Sequence, residues 1–213
     1  MSAHAPGHGD PHQLGHGHTP ISEQGPAPKR IVVAYGFWIF LLSDFIMFAG
    51  FFAAYAVLVG ETAGGPAGRD LFDLPLVMWE TAFLLLSSFA CGMAGIATLA
   101  RNRVWFQVAM AATALLGAAF LALELYEFTH LVSEAAGPSR SAFLSAFFAL
   151  VGCHGLHVTI GLVWLTTMMA QVWAKGFRDD ICRRIACFSL FWHALDIIWV
   201  ALFTVVYLLG AGA

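Results

Sequence analysis

The chain has 213 residues, of which 60% are hydrophobic and only 11% are charged, with a formal net charge of −3 and a mean hydropathy of +0.77. Soluble domains usually carry about 25% charged residues, so this composition excludes an ordinary soluble protein and indicates one that crosses a membrane several times. The sequence contains no nucleic-acid-binding patch and no glycine-rich phosphate loop, so no nucleic-acid partner is expected.

The first 30 residues differ from the rest of the chain. They hold five of the nine histidines, many glycines and prolines, and no apolar stretch. Because this composition cannot build a packed core, we predict a disordered cytoplasmic tail over residues 1–30, and no signal peptide. Histidine-rich tracts also bind Zn²⁺, Cu²⁺ or Ni²⁺ weakly, which is the alternative to a simple solvated tail.

Residues 31–213 carry five apolar stretches, each longer than the roughly eighteen residues that indicate a membrane-spanning helix. We therefore predict an all-α fold, a bundle of five transmembrane helices. The very short connection at Arg101–Arg103 predicts that the second and third helices form a tight antiparallel pair. A polar connection is predicted over Lys175–Arg184. The helices are expected at about 31–59, 76–100, 104–132, 141–173 and 185–209.

The basic residues predict the orientation of the bundle. If the N-terminus is cytoplasmic, eight of the ten Lys and Arg residues lie on the cytoplasmic side, and only Arg69 and Arg140 lie on the other. Cytoplasmic loops carry such an excess of positive charge. We therefore predict a cytoplasmic N-terminus and, after five spans, a periplasmic C-terminus.

Acidic residues interrupt the apolar stretches, whereas all Lys and Arg residues lie outside them. An ionised carboxylate at the bilayer centre costs at least about 2.5–3.5 kcal/mol. Such acids must therefore be protonated, bonded to histidine, hydroxyl or indole groups, or paired with a cation from another subunit. The acids concerned are Asp44, Glu80, Glu124, Glu127 and Asp196.

Histidines accompany these acids at helical spacing. His154 and His157 are three residues apart near the middle of the fourth stretch and so share one helix face. His193 and Asp196 have the same spacing in the fifth stretch, beside Trp192 and Trp199. The polar faces of several helices can therefore converge inside the bundle.

Three interpretations of these polar residues compete. The first is metal or haem ligation, for which Glu127 and His130 form the one Glu-x-x-His motif. The second is a proton path, which intramembrane acids and histidines commonly form. The third, which the residues favour, is structural: interhelical hydrogen bonds worth about 0.6 kcal/mol each that fix the helix register.

Four segments on four helices resemble subunit III of haem–copper respiratory oxidases, in the order in which that family has them. Residues 152–161 (GCHGLHVTIG) resemble its H-G-L-H-V-x-x-G core, and residues 191–199 (FWHALDIIW) its W-H-x-x-D-x-x-W segment. Residues 42–48 (LSDFIMF) and 118–128 (AAFLALELYEF) are similar to its acid-bearing segments. Asp44, the E-x-Y-E-F run and the closing FTVVYL are most similar to the bo-type ubiquinol oxidase branch.

The resemblance implies that this chain is a non-catalytic, multi-pass subunit of a quinol:O₂ oxidoreductase that pumps protons. Such a complex belongs to the aerobic respiratory chain of the bacterial inner membrane. It implies haem and copper in the partner subunit I, no cofactor in this chain, and contacts with subunits I, II and a small subunit IV. It also implies bound phospholipid in a V-shaped cleft between helix groups. Related five-helix proteins serve cytochrome c oxidases or act as nitric-oxide-reductase accessory proteins, and a stand-alone membrane enzyme or transporter is a further alternative.

No catalytic or metal-binding residue is expected on this basis. The positions expected to be buried, interhelical or in the lipid cleft are Asp44, Glu80, Glu124, Glu127, His154, His157, Trp192, His193, Asp196 and Trp199.

Overall fold

The computed structural model describes residues 29–65 and 68–212, and in these ranges every regular element is a helix. Five helices are long and apolar enough to cross a membrane, which confirms the predicted all-α bundle. The predicted tail up to residue 28 lies outside the described residues, as do the side chains of Lys29, Arg30 and Arg69. The elements are α1 (Lys29–Leu58), α2 (Gly68–Leu71), α3 (Leu74–Leu99), α4 (Arg103–Ser133), α5 (Ala142–Lys175), α6 (Asp179–Leu202), a π-helical segment (Phe203–Leu208) and α7 (Leu209–Gly212).

Local signals determine where several helices begin and end. Pro75 lies in the first turn of α3, where its missing N–H is tolerated. Asn102 caps α4 and Ser141 caps α5, each side chain accepting a backbone N–H at 3.2 Å. α5 ends at Lys175 and is followed by Gly176, whose φ of 70° is a conformation that side chains disfavour.

The predicted start of the fifth transmembrane helix at residue 185 was wrong. α6 begins at Asp179, so the connection after α5 spans only residues 176–178. Apolar composition marks the part of a helix that lies in lipid, whereas a helix can continue into water with charged residues. Asp179 and Asp180 in the first turn favour this extension, because their negative charge interacts well with the N-terminal end of the helix dipole.

α5 and α6 form the centre of the bundle. α1 packs against both, α3 packs against α6, and α4 packs against α5. α3 and α4 form the closest pair, which confirms the predicted antiparallel hairpin. α1 is the least buried span, and its buried side chains Leu41, Phe48 and Tyr55 recur every seventh residue as one narrow contact stripe.

The connections meet at two opposite ends of the bundle. At one end, Arg101 donates a hydrogen bond to the carbonyl oxygen of Phe177 at 2.7 Å and lies 3.7 Å from Asp179. At the other end, the N–H of Phe143 donates to the carbonyl oxygen of Glu61 at 3.3 Å. The short connections that carry most of the basic residues therefore share one end. Which end faces the cytoplasm stays a prediction from the charge distribution.

Candidate functional site

Three buried carboxyl groups lie together in the half of the bundle that contains the α4–α5 connection. Glu80 on α3 and Glu124 and Glu127 on α4 are 0%, 3% and 4% exposed, and their charges are close enough to interact. Tyr207 in the π-helical segment donates to Glu127 Oε2 at 2.9 Å. Both oxygens of Glu80, Oε2 of Glu124 and Oε1 of Glu127 have no partner among the described residues. Holding several negative charges here without a cation is costly.

The π-helical segment is what places Tyr207 in this cluster. It spans Phe203–Leu208, where the ordinary α-helical hydrogen-bonding pattern is widened by one residue. Tyr55 on α1 reaches the carbonyl oxygen of Val206 at 3.3 Å and so ties α1 to the same segment. Such single-turn widenings occur often at functional sites, and here the widening lies at the edge of the acidic cluster.

His154 on α5 is fully buried and is enclosed by aromatic rings. Its ring centroid lies 5.2 Å from that of Trp199, 5.8 Å from Phe120 and 6.4 Å from Phe48. Neither ring nitrogen has a hydrogen-bond partner among the described residues. The interhelical hydrogen bond expected of His154 is therefore replaced in this structure by aromatic packing, because the facing positions on α1, α4 and α6 are aromatic.

Trp192 and Trp199 do form interhelical hydrogen bonds. The indole of Trp192 donates to Ser87 Oγ at 3.1 Å, and that of Trp199 donates to Thr81 Oγ1 at 3.0 Å. The Trp192 ring fits against two glycines: a Cβ on Gly117 or Gly161 would lie 3.0 Å or 2.9 Å from it. These contacts fix α6 against α3, α4 and α5.

Asp44 and His157 lie together at the contact between α1 and α5, and both are half-buried. The Nδ1 atom of His157 is 2.7 Å from the carbonyl oxygen of Cys153, one turn back on its own helix. Its ring lies 5.3 Å from that of Phe48. The hydrogen bond that His157 makes is therefore within α5, and its contact with α1 is the ring contact with Phe48.

A second half-buried polar set lies between α3 and α6. Ser88 Oγ is 2.7 Å from His193 Nδ1, and Asp196 lies near both groups. The Oδ1 atom of Asp196 has no partner among the described residues. These three side chains form one side of an open groove whose other lining residues are Leu85, Phe89, Gly92, Met93 and Ile96.

The polar residues predicted from the sequence thus lie in several separate places rather than in one. In the described ranges, no group of three His, Cys, Asp or Glu side chains has an arrangement that could hold a metal ion. His130, the histidine of the Glu-x-x-His motif, points away from Glu127: its side chain is 55% exposed and lies 3.8 Å from Glu134. The metal-ligation interpretation therefore has no fitting ligand set in these ranges.

Sequence reasoning missed several partners of these residues, namely Thr81, Ser87, Ser88 and Tyr207. A hydroxyl in an apolar stretch is a weak signal, since most such groups bond to their own helix, as Thr98 does to Ala94. Spacing could have pointed to Ser88, because Thr81 and Ser88 are seven residues apart and so share a face of α3.

The fold and its polar interior define a multi-pass membrane protein in which hydrogen bonds and aromatic contacts link the helices. Residues 27–211 match the family described as Cytochrome c oxidase subunit III. The chain belongs to this family, which confirms the resemblance of its four segments.

The chain is similar over most of its length to several curated relatives. It is 49% identical to Cytochrome bo(3) ubiquinol oxidase subunit 3 of Pseudomonas aeruginosa, over 95% of this chain and 94% of the relative. It is 40% identical to Quinol oxidase subunit 3 of Bacillus subtilis, over 93% and 96% of the two chains. It is 41% identical to Cytochrome c oxidase subunit 3 of Bacillus sp. strain PS3, over 82% and 84%.

Proposed function

We propose that this chain is the non-catalytic subunit III of a terminal quinol oxidase that reduces O₂ to water and pumps protons. Its role is to support the assembly and stability of the haem–copper subunit. The observation that carries the proposal is 49% identity, over 95% of the chain, to a protein named as a ubiquinol oxidase subunit 3.

The geometry supports a structural role for the buried polar residues. The indoles of Trp192 and Trp199 and the phenol of Tyr207 each bond to another helix, and His154 packs against three aromatic rings. Groups used in this way fix the helix register, as interhelical polar contacts do in membranes. In this proposal the haem and copper belong to subunit I, and this chain binds phospholipid but no redox cofactor.

The proposal extends to partners and location. Subunits I and II and a small subunit IV are the expected neighbours, in the inner membrane of a bacterium. The excess of Lys and Arg at the end formed by the α3–α4 and α5–α6 connections supports a cytoplasmic location for that end. The N-terminus is then cytoplasmic and the C-terminus periplasmic.

Purification from native membranes tests the proposal. The chain, tagged at its C-terminus, is isolated in mild detergent, and the product is examined by mass spectrometry and by haem absorption. We expect a haem-containing partner and O₂ consumption with ubiquinol. Isolation of the chain without any haem protein would contradict the proposal and favour a stand-alone membrane enzyme or transporter.

The electron donor is tested with the same preparation. Because a relative named as a cytochrome c oxidase subunit is 41% identical, reduced cytochrome c is compared with ubiquinol as substrate. Oxidation of cytochrome c alone would assign the chain to a cytochrome c oxidase instead. The control is a mock purification from membranes whose chain carries no tag, from which neither rate is expected.

A further inference from the structure

The acidic cluster of α3 and α4 contains more hydrogen-bond acceptors than the side chains around it satisfy. Glu80, Glu124 and Glu127 each present two carboxyl oxygens, whereas Tyr207 supplies a single donor, to Glu127 Oε2 at 2.9 Å. Four of the other oxygens are buried and have no partner among the described residues. Both oxygens of Glu80, a fully buried side chain on a different helix from the other two acids, are among them. Since buried polar groups in native proteins are nearly always hydrogen-bonded, this cluster requires further donors.

In the part of the chain that the structure describes, no cation is placed to supply these donors. All Lys and Arg residues lie outside the apolar stretches, and the ion pairs of the described side chains join exposed groups. His154 on α5 is fully buried, but it is surrounded by the rings of Phe48, Phe120 and Trp199. Over residues 29–65 and 68–212, the acids also have no arrangement that could hold a metal ion.

The cluster is also closed to bulk water, since its three acids are at most 4% exposed. Phe72, which lies between α2 and α3, packs its ring 4.9 Å from that of Tyr207 and 5.2 Å from that of Phe147. The exposed carboxyl group of Asp73 lies close enough to Glu127 for its negative charge to repel a charge there. Exclusion of water and neighbouring negative charges both favour the uncharged form of a carboxylic acid.

We propose that the cluster is a proton-binding site, in which Glu80 and Glu124 are neutral carboxylic acids and Glu127 carries the single negative charge. Each protonated carboxyl group donates one hydrogen bond, so bound protons supply the donors that the neighbouring side chains lack. Glu127 carries the charge because Tyr207 donates to it, and a hydrogen bond to a carboxylate is stronger than one to a neutral group. A proton can then move from one acid to another while the cluster keeps one negative charge, which goes beyond the structural role proposed above.

Infrared difference spectroscopy of the protein purified from native membranes tests this assignment, because a protonated carboxyl group and a carboxylate absorb in separate spectral regions. Subtracting the spectrum of a Gln variant from that of the unaltered protein isolates the absorption of one side chain. We expect Glu80→Gln and Glu124→Gln to remove protonated-carboxyl absorption, and Glu127→Gln to remove carboxylate absorption. The control is Glu134→Gln, which should remove carboxylate absorption only, since that side chain is 54% exposed at the end of α4. Carboxylate absorption lost with Glu80→Gln or Glu124→Gln, or protonated-carboxyl absorption lost with Glu127→Gln, would overturn the proposal.

Aspartate variants keep the test decisive where a glutamine variant fails to fold. Glu80→Asp and Glu124→Asp retain an acid, and the protonated side chains of aspartate and glutamate absorb at different frequencies. We therefore expect each variant to shift a band in the protonated-carboxyl region. An unchanged protonated-carboxyl region, or a shift confined to the carboxylate region, contradicts the proposal. The result is independent of the proposed function, because the difference spectra report on residues of this chain whichever partner co-purifies with it.

Discussion

The carboxyl group of Glu124 on α4 lies directly against Gly155 on α5. A Cβ atom on Gly155 would come within 2.6 Å of Glu124 Oε2 and 2.8 Å of its Cδ. Real side chains do not tolerate such distances, so the absence of a side chain at residue 155 is what allows a carboxyl group to fit between the two helices.

Gly155→Ala is therefore expected to destabilise the protein, by about 1–3 kcal/mol, as overpacking of a filled interior usually does. The midpoint of thermal unfolding of the purified complex measures this loss. Gly152→Ala is the control on the same helix, because its Cβ would lie an ordinary 3.6 Å from the Phe128 ring. Equal midpoints for the two variants would show that the Glu124 contact is unimportant.

Glu124→Ala should relieve the effect of Gly155→Ala, since it removes the atoms that the new methyl group meets. In a double-mutant cycle the cost of Gly155→Ala should fall markedly in the Glu124→Ala background. If Gly155→Ala lowered stability equally in both backgrounds, the destabilisation would not come from contact with Glu124.

Tyr207→Phe should lower stability because it removes the one hydrogen bond that Glu127 accepts from the described residues. A buried acceptor left without its donor costs about 1–2 kcal/mol. Thermal unfolding in detergent is the measurement, and Glu127→Gln is the control, since an amide oxygen can still accept from Tyr207. A Tyr207→Phe protein as stable as the wild type would argue against a role for this bond.

His154→Ala should reduce the durability of the complex more than its initial rate of O₂ consumption. Removing a ring that packs against Phe48, Phe120 and Trp199 leaves a cavity, at a cost of about 2–4 kcal/mol. The measurement follows O₂ consumption over repeated turnover, with half-buried His157→Ala as the comparison. Loss of the initial rate in an intact complex would instead favour the proton-path interpretation.

Asp196→Ala should weaken the association with the partner subunit while leaving the fold of the chain largely intact. Asp196 lies at the open side of α6, whereas Trp192, His193 and Trp199 make the hydrogen bonds that join α6 to α3. Recovery of haem per tagged chain after purification measures the association, and the unfolding midpoint of the chain alone measures the fold. A large loss of midpoint with unchanged haem recovery would assign Asp196 to internal packing.

The sequence alone determined the class of fold and the composition of its interior. The lengths of the apolar stretches predicted five spans, and the absence of Lys and Arg from them predicted buried acids without internal cations. Both inferences depend only on the cost of placing a residue type in hydrocarbon, which is a local property of each segment. Periodicity likewise placed His154 and His157 on one face of a single helix.

Which groups meet was decided only by the tertiary structure. The rotation of α6 and its π-helical segment bring Tyr207 to Glu127, although the two residues are 80 positions apart in the chain. Aromatic residues from three other helices surround His154, which the sequence had suggested as a hydrogen-bonding group. Because lipid is apolar on every side of a helix, hydropathy predicts that a segment spans the membrane but not which face it turns toward its neighbours. That orientation is decided by close packing between the helices.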